Sequence, residues 1–158
     1  MPFEKIFYFL TLAAALGSGL IAGVFFIFSV AIMRALERIP NGAAAMKSIN
    51  VVIINPMFLG VFMGTAVLCL ALAIFSVFRW HEPGSVWVLC GALFYIVGSI
   101  AVTMIFNVPM NNALEAADTN TPGGHEIWKN YLTNWTFWNH VRAVASIVAS
   151  ASLIIGLK

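Results

Sequence analysis

"WTFWNHVRAVASIVASASLIIGL", residues 135–157, decides how many times this chain crosses a bilayer. Its uncharged part, 143–157, has 15 residues. At 1.5 Å per residue a helix of that length reaches about 22 Å, short of a hydrocarbon core of about 30 Å. Beginning the helix at Trp135 gives 23 residues and a full span. It also places Trp138, Asn139, His140 and Arg142 in the first two turns of a membrane helix.

Outward from that segment, three further stretches, 6–33, 56–78 and 86–108, are apolar and long enough to span without help. The whole chain is 61% hydrophobic and only 9% charged, and its mean hydropathy is +0.95. These values exclude an ordinary soluble domain. Lys5 ahead of an apolar run resembles a secretory leader, but the uncharged run to Met33 far exceeds a leader's apolar core and reads as a retained span. Neither an internal repeat nor a second domain is visible, so 1–158 reads as one multi-pass, all-α domain.

The connections set the topology. "RWHEPGS", 79–85, is a tight turn, whereas 34–55 and 107–134 are longer. An antiparallel four-helix bundle therefore carries both longer connections on one membrane face, with the short turn and the chain ends on the other. The unusual polar residues collect at the face of the longer connections: Ser29, Arg34, Asn50, Asn55, Asn107, Asn111, Asn112, Trp135, Trp138, Asn139, His140 and Arg142. Lys5, Arg79 and Lys158 at one face balance Arg38, Lys47 and Lys129 at the other, so the positive-inside rule favours neither orientation.

Several chemistries are disfavoured. Eight Lys and Arg against six Asp and Glu, unclustered, make no nucleic-acid footprint. Cys69 and Cys90 fall inside apolar runs and read as buried thiols. His81, His125 and His140 lack metal-ligand spacing, so no metal site is expected, and no phosphate loop is present. A haem held by His140 alone is the weakest of the cofactor readings.

Trp135, Trp138, Asn139 and Arg142 recur at i, i+3, i+4 and i+7 and share a stripe, with His140 turned about 100° from Asn139. An interfacial belt explains the tryptophans, with Arg142 snorkelling and Asn134 or Thr136 capping the helix. It explains Arg142 and His140 less well, because ionisable groups two turns deep face a protein interior or a wet cavity. "FNVPMNNAL" sets Asn107 and Asn111 around Pro109, which is expected to bend or end the third helix. On the first helix, Gly19 and Gly23 form a GxxxG packing motif, and Arg34 and Glu37 are spaced for a local ion pair. Asn55 is placed to cap the second long helix, with Pro56 at its first position.

Taken together, "GLIAGVFFIFSVAIMRAL", "AMKSIN", "NVPMNNAL" and "WTFWNHVR" resemble the anthrone oxygenase family of small four-helix membrane proteins, in the expected order along essentially the whole chain. The resemblance implies dioxygen as co-substrate and a flat aromatic, anthrone- or phenol-like substrate, with neither metal nor flavin. On that implication His140 serves as base. Arg142, Asn139, Asn107 and Asn111 stabilise the developing oxyanion, and Trp135 and Trp138, with Arg34, Asn50 and Ser29, bind the ring system. The competing reading is a non-enzymatic membrane protein whose polar pocket holds a lipid, a quinone or a partner helix. Small residues such as Gly17 and Gly98 suit close packing within one bundle or between copies in a homo-oligomer.

Overall fold

The computed structural model describes residues 2–158, which form five continuous helical segments and no strand. Four are long and apolar enough to cross a membrane: α1 (Glu4–Glu37), α3 (Pro56–Phe78), α4 (Ser85–Ala116) and α5 (Pro122–Ile155). The fifth, α2 (Gly42–Val52), is a short amphipathic helix between α1 and α3. Long helices lie beside their neighbours in sequence, and α5 closes the ring by packing along α1, giving an antiparallel bundle. Large apolar side chains such as Phe9, Leu16, Val67, Phe78 and Val144 point outward, whereas Ser18, Ser76, Ser99 and Ser146 are buried. That inversion of the soluble-protein pattern matches a bilayer as solvent.

The local signals act where backbone groups need partners. Asn55 Oδ1 accepts from the Phe58 backbone N–H at 3.0 Å and Pro56 takes the first helical position, as the sequence indicates. The turn into α4 runs through Gly84 at φ +81°, and the Gly156 carbonyl occupies the space a Cβ there would need. Only glycine meets both demands.

Three local expectations are corrected. α5 begins at Pro122, thirteen residues before the expected start of the span, and its cap is Thr121, whose Oγ1 accepts from the Gly124 N–H at 3.1 Å. Neither Asn134 nor Thr136 is a cap: Asn134 donates to Asn130 Oδ1 within the helix, and Thr136 Oγ1 has no hydrogen-bond partner. Pro109 does not end α4, which continues to Ala116. A π-helical turn over Thr103–Asn107 directly precedes it, and such a turn absorbs the backbone bond a proline cannot make. Finally, Gly23 faces open space, and Gly19 meets only Ser150 Oγ, at 3.2 Å from its would-be Cβ. The close helix approaches are instead at Gly17 on Thr65 and at Gly91 and Gly98 on α5.

Helix length positions the site. With 32 residues against 23, α4 outruns α3 by about 13 Å at 1.5 Å per residue. α2 fills the space beyond the N-terminus of α3, packing its buried Ala43 and Met46 with Met33, Leu36, Leu114, Tyr131 and Trp135. Lys47 ties it down by donating to the carbonyls of Glu115 and Ala117 at 3.1 and 2.7 Å, at the end of α4 where free carbonyls favour a cation. A second apolar cluster, containing Phe25, Phe62, Leu72, Tyr95 and Leu153, fills the other half of the bundle.

A Cβ at Gly91 would sit 2.8 Å from the Ala149 carbonyl oxygen. Gly91→Ala is therefore expected to destabilise the bundle by about 1–3 kcal/mol in detergent unfolding, whereas Gly23→Ala changes stability by less than about 0.5 kcal/mol.

Candidate functional site

Between the two apolar clusters lies a cavity of about 240 Å³. Its walls are Val24, Phe25 and Phe28 from α1, Met46, Ile49 and Asn50 from α2, Phe58, Phe62 and Met63 from α3, Thr103, Val108 and Asn111 from α4, and Trp135, Asn139 and Arg142 from α5. Every helix contributes.

Arg142 is the one charged residue in this lining, and it is only 6% exposed. Its Nη2 donates to Asn139 Oδ1 at 2.7 Å and its Nη1 to Thr103 Oγ1 at 3.1 Å. The guanidinium carbon stands 4.2 Å from the centre of the Phe25 ring and 5.2 Å from that of Trp135. Aromatic faces offer the partial negative charge that a desolvated cation needs where no carboxylate is near. Its Nε is buried without a hydrogen-bond partner. A buried, unsatisfied donor on a cation, in a wall without a carboxylate, is a place for an anionic oxygen.

The residues around Arg142 hold one another in turn. Asn139 is fully buried and donates through Nδ2 to the Phe25 carbonyl and to Ser29 Oγ, both at 2.7 Å, which fixes its Oδ1 toward Arg142. Asn111 Oδ1 accepts from Tyr131 Oη and Trp135 Nε1, both at 2.7 Å, and Asn50 Nδ2 reaches Tyr131 Oη at 3.3 Å. Asn107, also fully buried, donates to the Trp135 carbonyl at 3.2 Å. Trp128, Tyr131 and Trp135 stack in succession along α5, with centroid distances of 5.7 and 5.4 Å. One network thus joins α1, α2, α4 and α5.

Seven of the ten residues singled out in the sequence meet here: Ser29, Asn50, Asn107, Asn111, Trp135, Asn139 and Arg142. Three do not. His140 is exposed and does not line the cavity. Trp138 is turned aside to stack on Phe106 at 3.6 Å, and Arg34 is exposed near the end of α1. Sequence reasoning missed Tyr131 and Thr103. The 128/131/135 aromatic spacing carried a signal for the first, but a lone threonine in an apolar helix carried none for the second. Among the described residues no three His, Cys, Asp or Glu side chains group as metal ligands.

A family model described as anthrone oxygenase matches residues 57–152. The chain belongs to the anthrone oxygenase family. The match takes in α3, all of α4 and most of α5, and with them Asn107, Asn111, Trp135, Asn139 and Arg142. No curated protein and no solved structure matches the chain. Family membership thus covers three of the cavity's walls, while the α1 and α2 walls lie outside the matched residues.

Asn111→Ala removes the acceptor shared by Trp135 and Tyr131 and leaves two donors without it. The expected outcome is a loss of about 1–3 kcal/mol in detergent unfolding, with a changed tryptophan emission as Trp135 loosens.

Proposed function

We propose that the protein is a membrane-embedded oxygenase that takes a flat, weakly acidic aromatic ligand of the anthrone or phenol class into the Arg142 cavity and oxidises it with dioxygen, without a metal or flavin. The observation that carries this reading is the buried, incompletely satisfied guanidinium in an otherwise apolar cavity of an anthrone oxygenase family member. The volume, about 240 Å³, falls just below the range of about 300–1,000 Å³ common for small-molecule sites and suits one compact ligand.

An anthrone has a ketone opposite a benzylic methylene, and its enol tautomer is a phenol. A cation beside that oxygen favours the ionised form by one to three pKa units, as an opposite charge at about 4–6 Å does in general. Asn139 and Thr103 engage two of the five N–H groups of Arg142, which leaves donors for it. The anion carries electron density back to the ring carbon. That carbon gives an electron pair to dioxygen, forming a C–O bond, and the peroxide so made takes up one proton. Loss of the second proton from the same carbon breaks the O–O bond and leaves a quinone carbonyl and water. One anthrone and one dioxygen become one anthraquinone and one water, so no outside reductant is consumed. In this scheme the proton released on ionisation is taken up by the peroxide and the one lost from carbon joins the departing hydroxide, so both end in the water, while the cation stabilises the oxyanion. Trp135 and Phe25 provide aromatic walls for the ring system, and Asn139 and Thr103 keep the guanidinium aimed.

The test is dioxygen uptake and quinone formation from emodin anthrone by the purified protein, above the spontaneous background. Arg142→Gln is expected to lower the protein-dependent rate by about a hundred-fold or more, the scale for removing an oxyanion donor, while Arg142→Lys keeps part of it. His140→Ala is expected to retain the rate. A His140→Ala loss with Arg142→Gln unaffected would overturn the assignment. No acceleration by the wild-type protein would move the cavity to a binding role.

A further inference from the structure

The mouth of the cavity has a composition of its own. The exposed residues of its lining are Ile54, Leu59, Met63 and Met104, and all are apolar. Met63 and Met104 are 49% and 62% exposed and stand on α3 and α4. α3 packs closely on α4 over residues 85–101, and that close packing stops where Thr103–Asn107 begins. The gap left between the two helices is the side of the bundle on which these residues sit.

The polar end is arranged the opposite way. Above the cavity, α2 is held on the end of α4 by Lys47, and the Asn50–Tyr131–Asn111–Trp135 hydrogen bonds bridge α2, α5 and α4. On the side of the longer connections α2 is thus tethered over the cavity, while the flank between α3 and α4 is open and apolar.

We infer that the cavity is loaded sideways from the bilayer, through a portal between α3 and α4 formed by Leu59, Met63 and Met104, by a membrane-dissolved phenol that enters with its acidic oxygen leading and stops against Arg142. This deepens, and rests on, the reading of that cavity as the reaction site. A phenol or enol in its neutral form partitions into hydrocarbon, passes two methionines whose flexible thioethers adapt to flat ligands, and ionises only on reaching the guanidinium. An anion dissolved in water would meet the apolar mouth first and pay its desolvation there. The portal therefore selects neutral, flat amphiphiles.

The test uses emodin, the air-stable quinone, whose absorption changes when its phenol ionises, added to the full-length protein in lipid vesicles. Rapid mixing then follows the colour change that reports capture beside Arg142. Met63→Trp with Met104→Trp is expected to slow both capture and release by about ten-fold or more while the dissociation constant moves less than about three-fold, as obstruction of a path does. Leu70→Trp, exposed on the same helix two turns from Met63 and outside the cavity, serves as control and leaves the rates unchanged. Each single variant and its thermal midpoint separates obstruction from misfolding. Unchanged rates in the folded double variant, or no ionised emodin with the wild-type protein, would overturn the portal. Quinone formation has no part in this readout, so failure of oxygenation leaves the portal standing and failure of the portal leaves oxygenation standing.

Discussion

A guanidinium buried in an apolar bundle is the constraint around which the rest is arranged. Inside a membrane a charged side chain costs at least a few kcal/mol unless the protein replaces the water it gave up. Here the replacement comes from Asn139 Oδ1, Thr103 Oγ1 and the faces of Phe25 and Trp135. These partners lie on α1, α4 and α5, so satisfying one cation fixes the relation of three helices. Asn139 is in turn spent on the Phe25 carbonyl and Ser29, and cannot turn away. The buried asparagines serve less as isolated hydrogen-bonding groups than as the frame that holds Arg142 in the cavity wall with N–H donors, Nε among them, still unused.

The space for that cavity follows from two departures from regular helices. α3 is the shortest of the long helices, so at its N-terminal end the bundle lacks a fourth wall, and α2 supplies it through Met46, Ile49 and Asn50. In addition, π-helical turns lie at Phe28–Ile32, Thr103–Asn107 and Tyr131–Trp135, around the cavity on three helices. Such a turn fits an extra residue into the ladder and re-aims the side chains after it, which is why these turns are common at functional sites. Ser29, Thr103, Asn107, Tyr131 and Trp135 all sit within them.

The same turns mark the limit of what the sequence discloses. Four spans, the tight 79–85 turn and the polar end of the bundle are legible because hydropathy and length act over many residues. The stripe Trp135, Asn139 and Arg142 is legible because α5 is a regular helix from Thr136 onward. Trp138, by the same spacing, belongs to the stripe, yet a neighbour the spacing cannot contain, Phe106, draws its ring to one side. Arg34 and His140 are chemically eligible but face outward, and eligibility by residue type carries no information about facing. Pro109 reads as a stop in any single-helix view. It is a passing residue because the π-turn before it, invisible in hydropathy, takes up the missing bond.

Charge and access then bear on each other. A cavity that kept a carboxylate beside Arg142 would neutralise it and hold water, and a ligand's oxyanion would gain little by entering. Without one in the lining, the cation's field falls on whatever oxygen arrives, in a surrounding of low dielectric where that field is strong. The apolar mouth completes the arrangement, because it admits the protonated ligand and leaves ionisation to the far end. On the proposed reading, acidity is thereby conferred at the place that dioxygen, itself more soluble in hydrocarbon than in water, would also reach. On that reading site and solvent select the same step, because the proposed carbon acid becomes an electron-rich anion only after it has left water.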